Sequence, residues 1–362
     1  MDLFKFTNVD TVDLSEGLSI TDYDSIMWIE RYEKPGEFNL RAKLSSGLQN
    51  MLPLGSIISH SKTYEACIVE NHEISESSDS DPIIEISGRS LDSYLDNRIV
   101  GLQLAINSPT VPYSQYTLAA GHLQNQISTL INAHISPLSG DITSTAATLS
   151  LMQPSRIIKR QTVLKAVTDL LSLENLGLRV VRKNVLGAFN AQSSSKTLLH
   201  IHNGVDHSND VIFSWNFGEL DSASYLFSIK ALKNVALVQG KYVEVVVEDV
   251  VQPTDYERRV MLVDASDLDE AYTTVPSGGT LTTIQTNMQT RGREALSSQK
   301  LLNISNVDLS KASSYKYRTD YDIGDTVSIS GNYGVTEKRR VVEYVEIEDE
   351  TGETGYPTLS AL

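Results

Sequence analysis

The sequence contains a single cysteine and no long apolar run. Because Cys67 is alone among 362 residues, the chain can form no internal disulfide and no zinc site built from several thiolates. No window approaches the roughly 18 apolar residues that a membrane-spanning helix requires. The first residues carry Asp2 and Asp10 without a continuous apolar segment, which is not the pattern of a signal peptide. We therefore expect a soluble protein that is made in a cytoplasm.

Positive charge is also scarce. The chain has 30 Lys and Arg against 46 Asp and Glu, which gives a formal net charge of -16 at pH 7. A surface of that sign repels nucleic-acid phosphates, so tight binding of DNA or RNA is not expected. The acidity has two interpretations that the sequence does not separate: it keeps the protein soluble, or it forms a surface past which DNA slides without adhering.

Motifs of the common nucleotide-binding and hydrolytic sites are missing as well. The sequence has no G-x-S-x-G elbow, no phosphate-binding P-loop and no G-x-G-x-x-G turn. Gly278 and Gly279 precede a predicted helix, whose N-terminus can bind an anion, but a plain loop-to-helix junction explains them equally well. Nothing in these patterns predicts an enzyme.

The composition instead predicts a folded protein rich in β-structure. Hydrophobic residues make up 40% and charged residues 21% of the chain, which is enough for a core, and the length suits two to four domains. Strands predicted at 25–32 and 38–45 flank a Pro-Gly turn, which is a hairpin pattern. Further short strands are predicted at 55–60, 63–70 and 82–88. Cys67 lies in the alternating run TYEACIVE, which favours a buried strand thiol over a nucleophile.

Three amphipathic helices are predicted after these strands. Apolar residues recur at helical spacing in 123–135 and again in 163–177, where Gly177 is placed as a C-terminal cap. Strands follow, and the spacing of apolar residues predicts a third helix at 281–296, which Gly292 weakens. The last strands are predicted at 325–330 and 339–350.

Three histidines form a candidate metal site. In a strand, His200 and His202 share one face, which is the geometry that two imidazoles need to reach one metal ion. Candidates for a third ligand are His207, Asp206 and Asp210. The alternative is a solvent-facing strand edge with its turn, and the sequence shows no catalytic base nearby.

Carboxylate pairs are a second candidate for chemistry. The pairs are Glu248 with Asp249, Asp267 with Asp269, and Asp320 with Asp322. Glycosidases use two carboxyls at a defined separation, one of them with a raised pKa. In a chain this acidic, such pairs also arise from turns and a solvated face. The run Asp320–Asp325 begins like a calcium loop but has Tyr333 near the place of the closing glutamate, which favours a turn before a strand.

Two further features bear on binding. Arg156, Lys159 and Arg160 form a local basic cluster. In a protein of this net charge, an interface with an acidic neighbour is a more plausible use for it than nucleic-acid binding. The 16 tyrosines would allow a carbohydrate-binding surface, but the sequence does not gather them on one face.

Five segments of strands and turns run in a recognisable order from near the start of the chain to near its end. They are YDSIMWIERYEKPGEFNLRA (23–42), IIEISGRSLDSYLDNRIV (83–100), VIFSW (211–215) with KNVALVQG (233–240), RRVMLVDASDLD (258–269) and DYDIGDTVSI (320–329). Together they resemble the tail hub proteins of siphophages, also called tail-associated or baseplate hub proteins, in the short form grouped as a siphovirus minor-tail family.

The resemblance implies a homotrimer at the tip of a phage tail. Each subunit would contribute two similar β-barrels, so that three subunits form a ring that matches a sixfold tail tube or distal tail ring. Implied partners are the distal tail protein, the tape measure protein and tail fibre or receptor-binding proteins, while genomic DNA passes through without specific binding. The implied location is the virion tail tip, after assembly in the host cytoplasm. Because the chain ends at Leu362, just after its last β-segment, we expect no appended wall-degrading domain.

We therefore expect an α+β, β-dominated fold with two similar small β-barrel domains and helix-containing inserted domains. Residues 1–100 are the first barrel, 101–220 an α+β insert, 221–264 with 319–362 the second barrel, and 265–318 a helical insert. The expected function is structural and not enzymatic, with no catalytic, metal or cofactor residue assigned. Two alternatives stay open. One is a cell-wall or polysaccharide hydrolase that uses Asp267 and Asp269, and the other is a carbohydrate-binding receptor module.

Overall fold

The fold is seen in a computed structural model. It describes residues 1–6, 17–78, 80–101, 116–134, 142–144, 152–158, 160–172, 174–182, 197–230, 232–248, 255–269, 272, 274–297, 299, 302–309, 314–331 and 336–361. The strands are β1 (Leu3–Phe6), β2 (Leu18–Ile20), β3 (Ser25–Arg31), β4 (Glu37–Lys43), β5 (Ile57–His60), β6 (Cys67–Ser77), β7 (Ser80–Ser90), β8 (Tyr116–Leu118), β9 (Gly121–His122), β10 (Ile142–Ser144), β11 (Met152–Gln153), β12 (Arg156–Ile158), β13 (Gly177–Arg182), β14 (Thr197–His202), β15 (Ile212–Ser214), β16 (Leu220–Ser228), β17 (Val235–Gln239), β18 (Glu244–Glu248), β19 (Val260–Asp264), β20 (Leu302–Leu309), β21 (Thr326–Ser330), β22 (Thr336–Asp349) and β23 (Gly352–Ala361). The α-helices are α1 (Leu48–Met51), α2 (Leu123–His134), α3 (Val163–Ser172) and α4 (Gly278–Ser297).

Among the described residues, one 11-stranded sheet dominates the fold. Its strands follow the order β15-β21-β22-β3-β4-β7-β6-β5-β1-β2, and β23 pairs with β22 beside this path. The late strand β22 runs antiparallel to the early strand β3, with Glu343 opposite Arg31. Their side chains form an ion pair at 2.7 Å. Strands from the two ends of the chain therefore belong to one sheet.

The predicted hairpin of β3 and β4 is confirmed, and its inward face begins one hydrophobic core. Phe38, Leu40 and Ala42 alternate inward along β4, because successive side chains of a strand point to opposite faces. They pack in a cluster with Trp28 and Cys67. The prediction that Cys67 is a buried strand thiol is confirmed, and burial raises the pKa of this thiol well above its usual range.

A second hydrophobic core lies at the other end of the same sheet. Phe213 of β15, Val327 of β21 and Val341 of β22 are fully or almost fully buried there. Tyr321 and Tyr32 belong to the same cluster. Because β3 and β22 are hydrogen-bonded neighbours, the two cores lie side by side along a continuous sheet.

The two helices predicted between residues 123 and 177 are confirmed, but the second ends earlier than expected. α2 and α3 share a core with β13 and β14 that includes Ile127 and Val167. The prediction that Gly177 caps α3 is wrong, because Asn175 takes the left-handed conformation after the helix, with φ 54. Gly177 begins β13 instead, where an added Cβ would come within 2.4 Å of the Tyr32 ring.

The small sheet of β17, β18 and β19 packs against the third predicted helix. That helix is confirmed as α4, and Ile284 and Met288 face the sheet. A Cβ added to Gly292 would lie 2.7 Å from the Val247 side chain. The glycine that weakens the helix therefore also allows its close contact with the sheet.

The strand pairings bear on how the chain divides. β17, β18 and β19 pair among themselves beside α4, whereas β21, β22 and β23 lie in the large sheet. The predicted domain boundaries, which join 221–264 to 319–362, stay a prediction. A β-dominated fold with few helices is confirmed, and the pair of similar barrels stays a prediction. Within the ranges given above, no helix has the length and apolar character needed to span a membrane.

Candidate functional site

Charged side chains are buried where the large sheet meets the segment before β21 and the strand β13. Glu30, Glu65 and Arg179 are 1%, 3% and 4% exposed, and the Arg318 side chain is 12% exposed. We call these four residues, with Tyr317, the junction cluster. Charged side chains are almost never fully buried unless they are paired, so each of them requires a partner.

Glu30 is the centre of the junction cluster. Its carboxylate accepts hydrogen bonds from the hydroxyls of Tyr317, at 2.6 Å, and Thr63, and it forms an ion pair with Arg318. Burial by itself raises the pKa of Glu30, but Arg318 and these hydrogen bonds outweigh it and lower the pKa to about 2. Glu30 is therefore a charged carboxylate with its lone pairs satisfied inside the protein.

Glu65 and Arg179 complete the cluster. Burial raises the pKa of Glu65 well above its ordinary value, and the nearby carboxyl groups of Glu30 and Asp92 add to this effect. Arg179 stays charged, with its guanidinium 3.4 Å from the Asp322 carboxylate and 5.4 Å from the centre of the Tyr64 ring.

An open groove of ≈ 750 Å³ lies beside the junction cluster and is lined largely by aromatic rings. We call it the aromatic groove, and its rings belong to Tyr64, Phe213, Tyr315, Tyr317, Tyr321 and Tyr344. The rings of Tyr317 and Tyr344 stack with centroids 3.8 Å apart. The Arg318 guanidinium lies 4.7 Å from the centre of the Tyr317 ring. The pairing of β22 with β3 thus gathers tyrosines that the sequence could not place together.

Two carboxyl groups also line the aromatic groove. Glu346 of β22 donates a hydrogen bond to Glu353 of β23, and Glu353 forms an ion pair with Lys62. Burial raises the pKa of Glu346 to about 7. Burial acts in the same direction on Glu353, but Lys62 and the hydrogen bond from Glu346 outweigh it and lower its pKa. The pair therefore holds one proton near neutral pH.

Replacing Glu346 by glutamine is expected to change how stability depends on pH. The pKa of Glu346 rises from 4.5 to about 7 on folding, so the folded wild type binds a proton that the unfolded chain has lost. The stability of the wild type relative to Glu346→Gln should thus fall between pH 4.5 and pH 7, by up to about 3 kcal/mol.

Urea unfolding of both proteins from pH 4.5 to pH 8 measures this difference, in which the titration of groups that do not interact with Glu346 cancels. Glu73→Gln is the matched control, since Glu73 is exposed on β6. A constant difference between wild type and Glu346→Gln over this range would contradict the assignment of the shared proton.

Two of the three histidines of the candidate metal site lie together on β14. His200 and His202 share one face of β14, as predicted, with ring centroids 5.5 Å apart, and both are buried instead of facing solvent. Burial lowers the pKa of His200 to about 3 and that of His202 well below its usual value, and the Arg179 cation adds to both effects. Asp206 instead pairs with Lys338 at 2.9 Å.

The remaining candidate ligands also have other surroundings. His207 faces Asp325 at 3.7 Å, and Asp210 is exposed. In the parts of the chain that the structure describes, no three His, Cys, Asp or Glu side chains converge to hold a metal ion.

The carboxylates proposed for hydrolysis hold the structure around α4. Asp267 forms two bonds with the Arg291 guanidinium, at 2.6 and 3.0 Å. Asp269 is fully buried and accepts hydrogen bonds from the backbone N–H groups of Lys241, Tyr242 and Val243 at 2.7 to 3.1 Å. The Asp269 bonds fix the turn between β17 and β18, and the Asp267 pair ties the segment after β19 to α4, so both carboxylates have a structural use.

The acidic run before β21 forms a turn, as predicted. The Asp325 carboxylate accepts hydrogen bonds from the backbone N–H groups of Val205, at 2.6 Å, and Asp322, at 2.7 Å. The Asp320 carboxylate accepts one from the backbone of Lys316 at 2.7 Å. The turn then enters β21, which follows in the large sheet.

The other candidates of the sequence have ordinary surroundings. Arg156 is buried and pairs with Glu294 of α4 at 2.9 Å, while Arg160 is exposed. Gly278 and Gly279 are the first residues of α4. Glu248 pairs with Arg258 at 3.0 Å. Lys159, Asp249 and Tyr333 lie outside the described residues.

Sequence reasoning did not identify the junction cluster or the aromatic groove. Glu30 and its neighbours Ile29 and Arg31 form no recognised motif. Its partner Arg318 lies almost at the other end of the chain. The one available signal was an acidic residue directly after the apolar run IMWI of β3. A charge in such a strand indicates a buried pair without naming the partner.

The fold is similar to that of solved phage tail proteins over nearly the whole chain. The tail protein from Neisseria meningitidis MC58 matches with a TM-score of 0.60 and 11% identity, covering 99% of this chain and 95% of that one. The prophage MuSo2 43 kDa tail protein from Shewanella oneidensis gives 0.60 and 12%, covering 99% and 98%. The prophage tail protein gp18 from Listeria monocytogenes EGD-e gives 0.54 and 12%, covering 99% and 94%. At these identities the likeness shows the fold alone.

A comparison of the sequence with known families shows to which family the chain belongs. No curated protein matches it. Residues 13–359 match the family described as Siphovirus ReqiPepy6 Gp37-like protein, which is most of the chain. This confirms the siphovirus tail-protein resemblance that the order of strand-and-turn segments predicted. The chain therefore belongs to the Siphovirus ReqiPepy6 Gp37-like family, a family of phage tail proteins of the virion.

Proposed function

We propose that this protein is a structural component of the tail tip, a baseplate hub that assembles as a trimeric ring below the tail tube. The observation that carries the proposal is a fold shared with phage tail proteins across 99% of this chain. The ring joins the sixfold tail tube or distal tail ring to a threefold tip and lines the channel for DNA. Its partners are the distal tail protein, the tape measure protein and tail fibre or receptor-binding proteins.

The arrangement of the cores supports a duplicated unit. One core around Trp28 and another around Val327 lie along a single sheet. Three chains with two such units each would present six units around one axis, which is how a threefold ring can match a sixfold tube. Two barrels related by a rotation of about sixty degrees are part of this proposal.

The two ends of the large sheet are suited to ring closure. Within the described ranges, β15 and β2 end the path of paired strands. Edge strands offer unpaired backbone N–H and C=O groups, and the β2 residue Leu18 is 58% exposed. We propose that β2 of one subunit pairs with β15 of the next. This contact joins two different surfaces, and it closes into a ring when the rotation between neighbouring subunits is a whole fraction of a full turn.

The net charge of -16 supports a channel that does not retain DNA. Phosphates are repelled by a surface of the same sign, so DNA passes without specific binding. The engagement of Asp267 and Asp269 in structural bonds supports a protein without hydrolytic activity. Assembly in the host cytoplasm precedes this role in the virion.

A reconstruction of tail tips from a phage that carries this protein tests the proposal. We expect three copies in a closed ring, each of 39.9 kDa, with β2 against β15 of a neighbour. Leu18→Lys places a charge in that contact and should prevent ring formation. Asn125→Lys introduces the same residue on the exposed face of α2 and should leave the ring intact. A different copy number, or edges of the sheet that face solvent, would overturn the proposal.

A further inference from the structure

The small sheet of β17, β18 and β19 has one covered face and one exposed face. Val247 and Val263 pack in the core that α4 covers. Since successive side chains of a strand point to opposite faces, Leu237, Val246 and Leu262 lie in one row on the other face. Val246 and Leu262 are 52% and 65% exposed. We call this side the outer face of the small sheet.

The three strands have the composition of a sheet that is covered on both sides. Their apolar residues form unbroken runs, VALV (235–238), VVV (245–247) and VMLV (260–263), instead of alternating with polar residues. β17 and β19 also run parallel to each other. Parallel strands with such runs are found mostly in sheets that have helices on both faces. Because α4 packs on one face, the pattern indicates a second covering layer on the outer face.

Negative charge borders the outer face at one end. The strand registers place Glu244 and Asp264 there on either side of Gln239, and both acidic side chains are exposed. The Gln239 amide donates to Glu244 at 3.2 Å, which leaves the charge in place. Lys241 lies 4.8 Å from the centre of the Tyr242 ring, which packs with the core under α4 on the opposite side. This end of the outer face therefore presents carboxylates.

The cations at the opposite end are bonded within the chain. Arg258 pairs with Glu248 at 3.0 Å, and the Lys233 ammonium donates to the carbonyl of Val260 at 3.1 Å. Arg259 donates to a backbone carbonyl at 2.9 Å. In a chain whose net charge is -16, an apolar row beside two carboxylates favours a partner with positive charge.

The dimensions of the outer face suit a single helix. The outer axes of three neighbouring strands lie about 10 Å apart, and five residues of a strand extend about 17 Å. A helix is about 10 to 12 Å wide, and three of its turns are about 16 Å long. The area of roughly 170 Å² that follows from the strand spacing is far below the 800 Å² or so per partner of a stable dimer. The face is therefore too small to hold two of these acidic chains together, whereas a helix of a protein held by other contacts in the tail can bind it.

We propose that the outer face of the small sheet binds an amphipathic, basic helix of another tail protein. The apolar stripe of that helix packs on Leu237, Val246 and Leu262, and its Lys or Arg side chains lie beside Glu244 and Asp264. The small sheet is separate from the large sheet that carries β2 and β15, so the proposal does not depend on the trimeric ring. It gives the chain a docking surface beyond the proposed contact between subunits.

Replacing Leu262 by the photoreactive residue p-benzoylphenylalanine tests the proposal in tails purified from a phage that carries this protein. After irradiation, mass spectrometry of the attached peptide should identify a segment of another tail protein in which apolar residues recur at helical spacing beside Lys or Arg. Adding Glu244→Lys should lower the yield of this product about tenfold, because like charges then meet. Glu73→Lys is the matched control, since Glu73 is exposed on β6, and it should leave the yield unchanged.

Three outcomes would overturn the proposal. They are the absence of a cross-link in assembled tails, an attached peptide that comes from a second copy of this chain or lacks the basic helical pattern, and a yield that Glu244→Lys does not lower. Leu262 is exposed, so its replacement alone decides between the first two even if Glu244→Lys fails to assemble. The same photoreactive residue at Leu18 reports on the contact between β2 and β15, so a failure of the proposed ring is seen separately.

Discussion

Replacing Glu30 by glutamine is expected to lower the free energy of unfolding by about 3 to 5 kcal/mol. The Glu30 carboxylate accepts hydrogen bonds from Tyr317 and Thr63 and pairs with Arg318. Without its negative charge, the Arg318 guanidinium remains buried and lacks its partner. Leaving one charge of a buried pair uncompensated is strongly destabilising, because the lost solvation is no longer offset. Urea unfolding at pH 7 measures the loss.

Two comparisons show whether the loss comes from the buried pair. Lys165→Gln breaks the exposed Lys165–Asp169 pair on α3, where the distance is 3.0 Å, and should cost less than about 1 kcal/mol. Arg318→Gln should resemble Glu30→Gln, and the double variant should lose less than the sum of the two, since neither charge is then left alone. Strictly additive losses, or a Glu30→Gln loss no larger than that of Lys165→Gln, would contradict this account.

The stabilisation by Glu30 should also depend on pH in a defined direction. Its pKa falls from 4.5 to about 2 on folding, because Arg318 and the hydrogen bonds outweigh the effect of burial. A lowered carboxyl pKa stabilises the folded state fully above pH 4.5, and this contribution is lost as the pH falls toward 2. The difference between wild type and Glu30→Gln should therefore shrink over that window. A difference that grows as the pH falls would contradict the assignment of the charge.

The sequence predicted those parts of the fold that depend on local periodicity. Alternation along FNLRAK predicts the inward face of β4, and helical spacing predicts α2 and α4, because these patterns follow from the geometry of one element. The sequence predicts that α3 ends at Gly177, because glycine most often takes the left-handed backbone conformation that follows a helix. In the structure Asn175 takes this conformation. Local propensity identifies which residues are able to end a helix without deciding among them.

Features that depend on pairing distant strands could not be predicted in this way. The registers of β3 and β22 bring Glu30 near the segment that carries Arg318, and no local pattern encodes that contact. The aromatic groove has the same origin. His200 and His202 show one feature of each kind, one that follows from local periodicity and one that depends on packing. Their shared face on a strand was predicted, while their burial beside Arg179 depends on packing.

Replacing Tyr32 by alanine is expected to have an effect as large as that of Glu30→Gln, about 3 to 5 kcal/mol. Tyr32 is fully buried at the end of β3, and its ring packs on the edge of His202, with centroids 5.0 Å apart. Its hydroxyl donates to the carbonyl of Asn175 at 2.7 Å. Removal of the ring opens a cavity beside Gly177 and Gly324, which have no side chains to fill it.

Tyr32→Phe is the matched variant, because it keeps the ring and loses only the hydroxyl. It should cost about 1 kcal/mol, the usual contribution of a buried hydrogen bond. Unfolding in urea gives both values. A Tyr32→Phe loss as large as that of Tyr32→Ala would assign the stabilisation to the hydroxyl instead of to the packing of the ring.

The position of Tyr32 also predicts a loss of cooperativity. The backbone N–H of Tyr32 donates to Val342 in β22 at 2.9 Å, and its carbonyl accepts from Leu178 in β13 at 3.1 Å. Tyr32 thus connects the large sheet to β13, which shares a core with α2 and α3. Without the ring, β13 and β14 should exchange their amide hydrogens faster than β3 and β22 do, because regions with fewer buried contacts open separately. Equal acceleration of exchange in all four strands of Tyr32→Ala would contradict this prediction, because β13 and β14 would then unfold together with the large sheet.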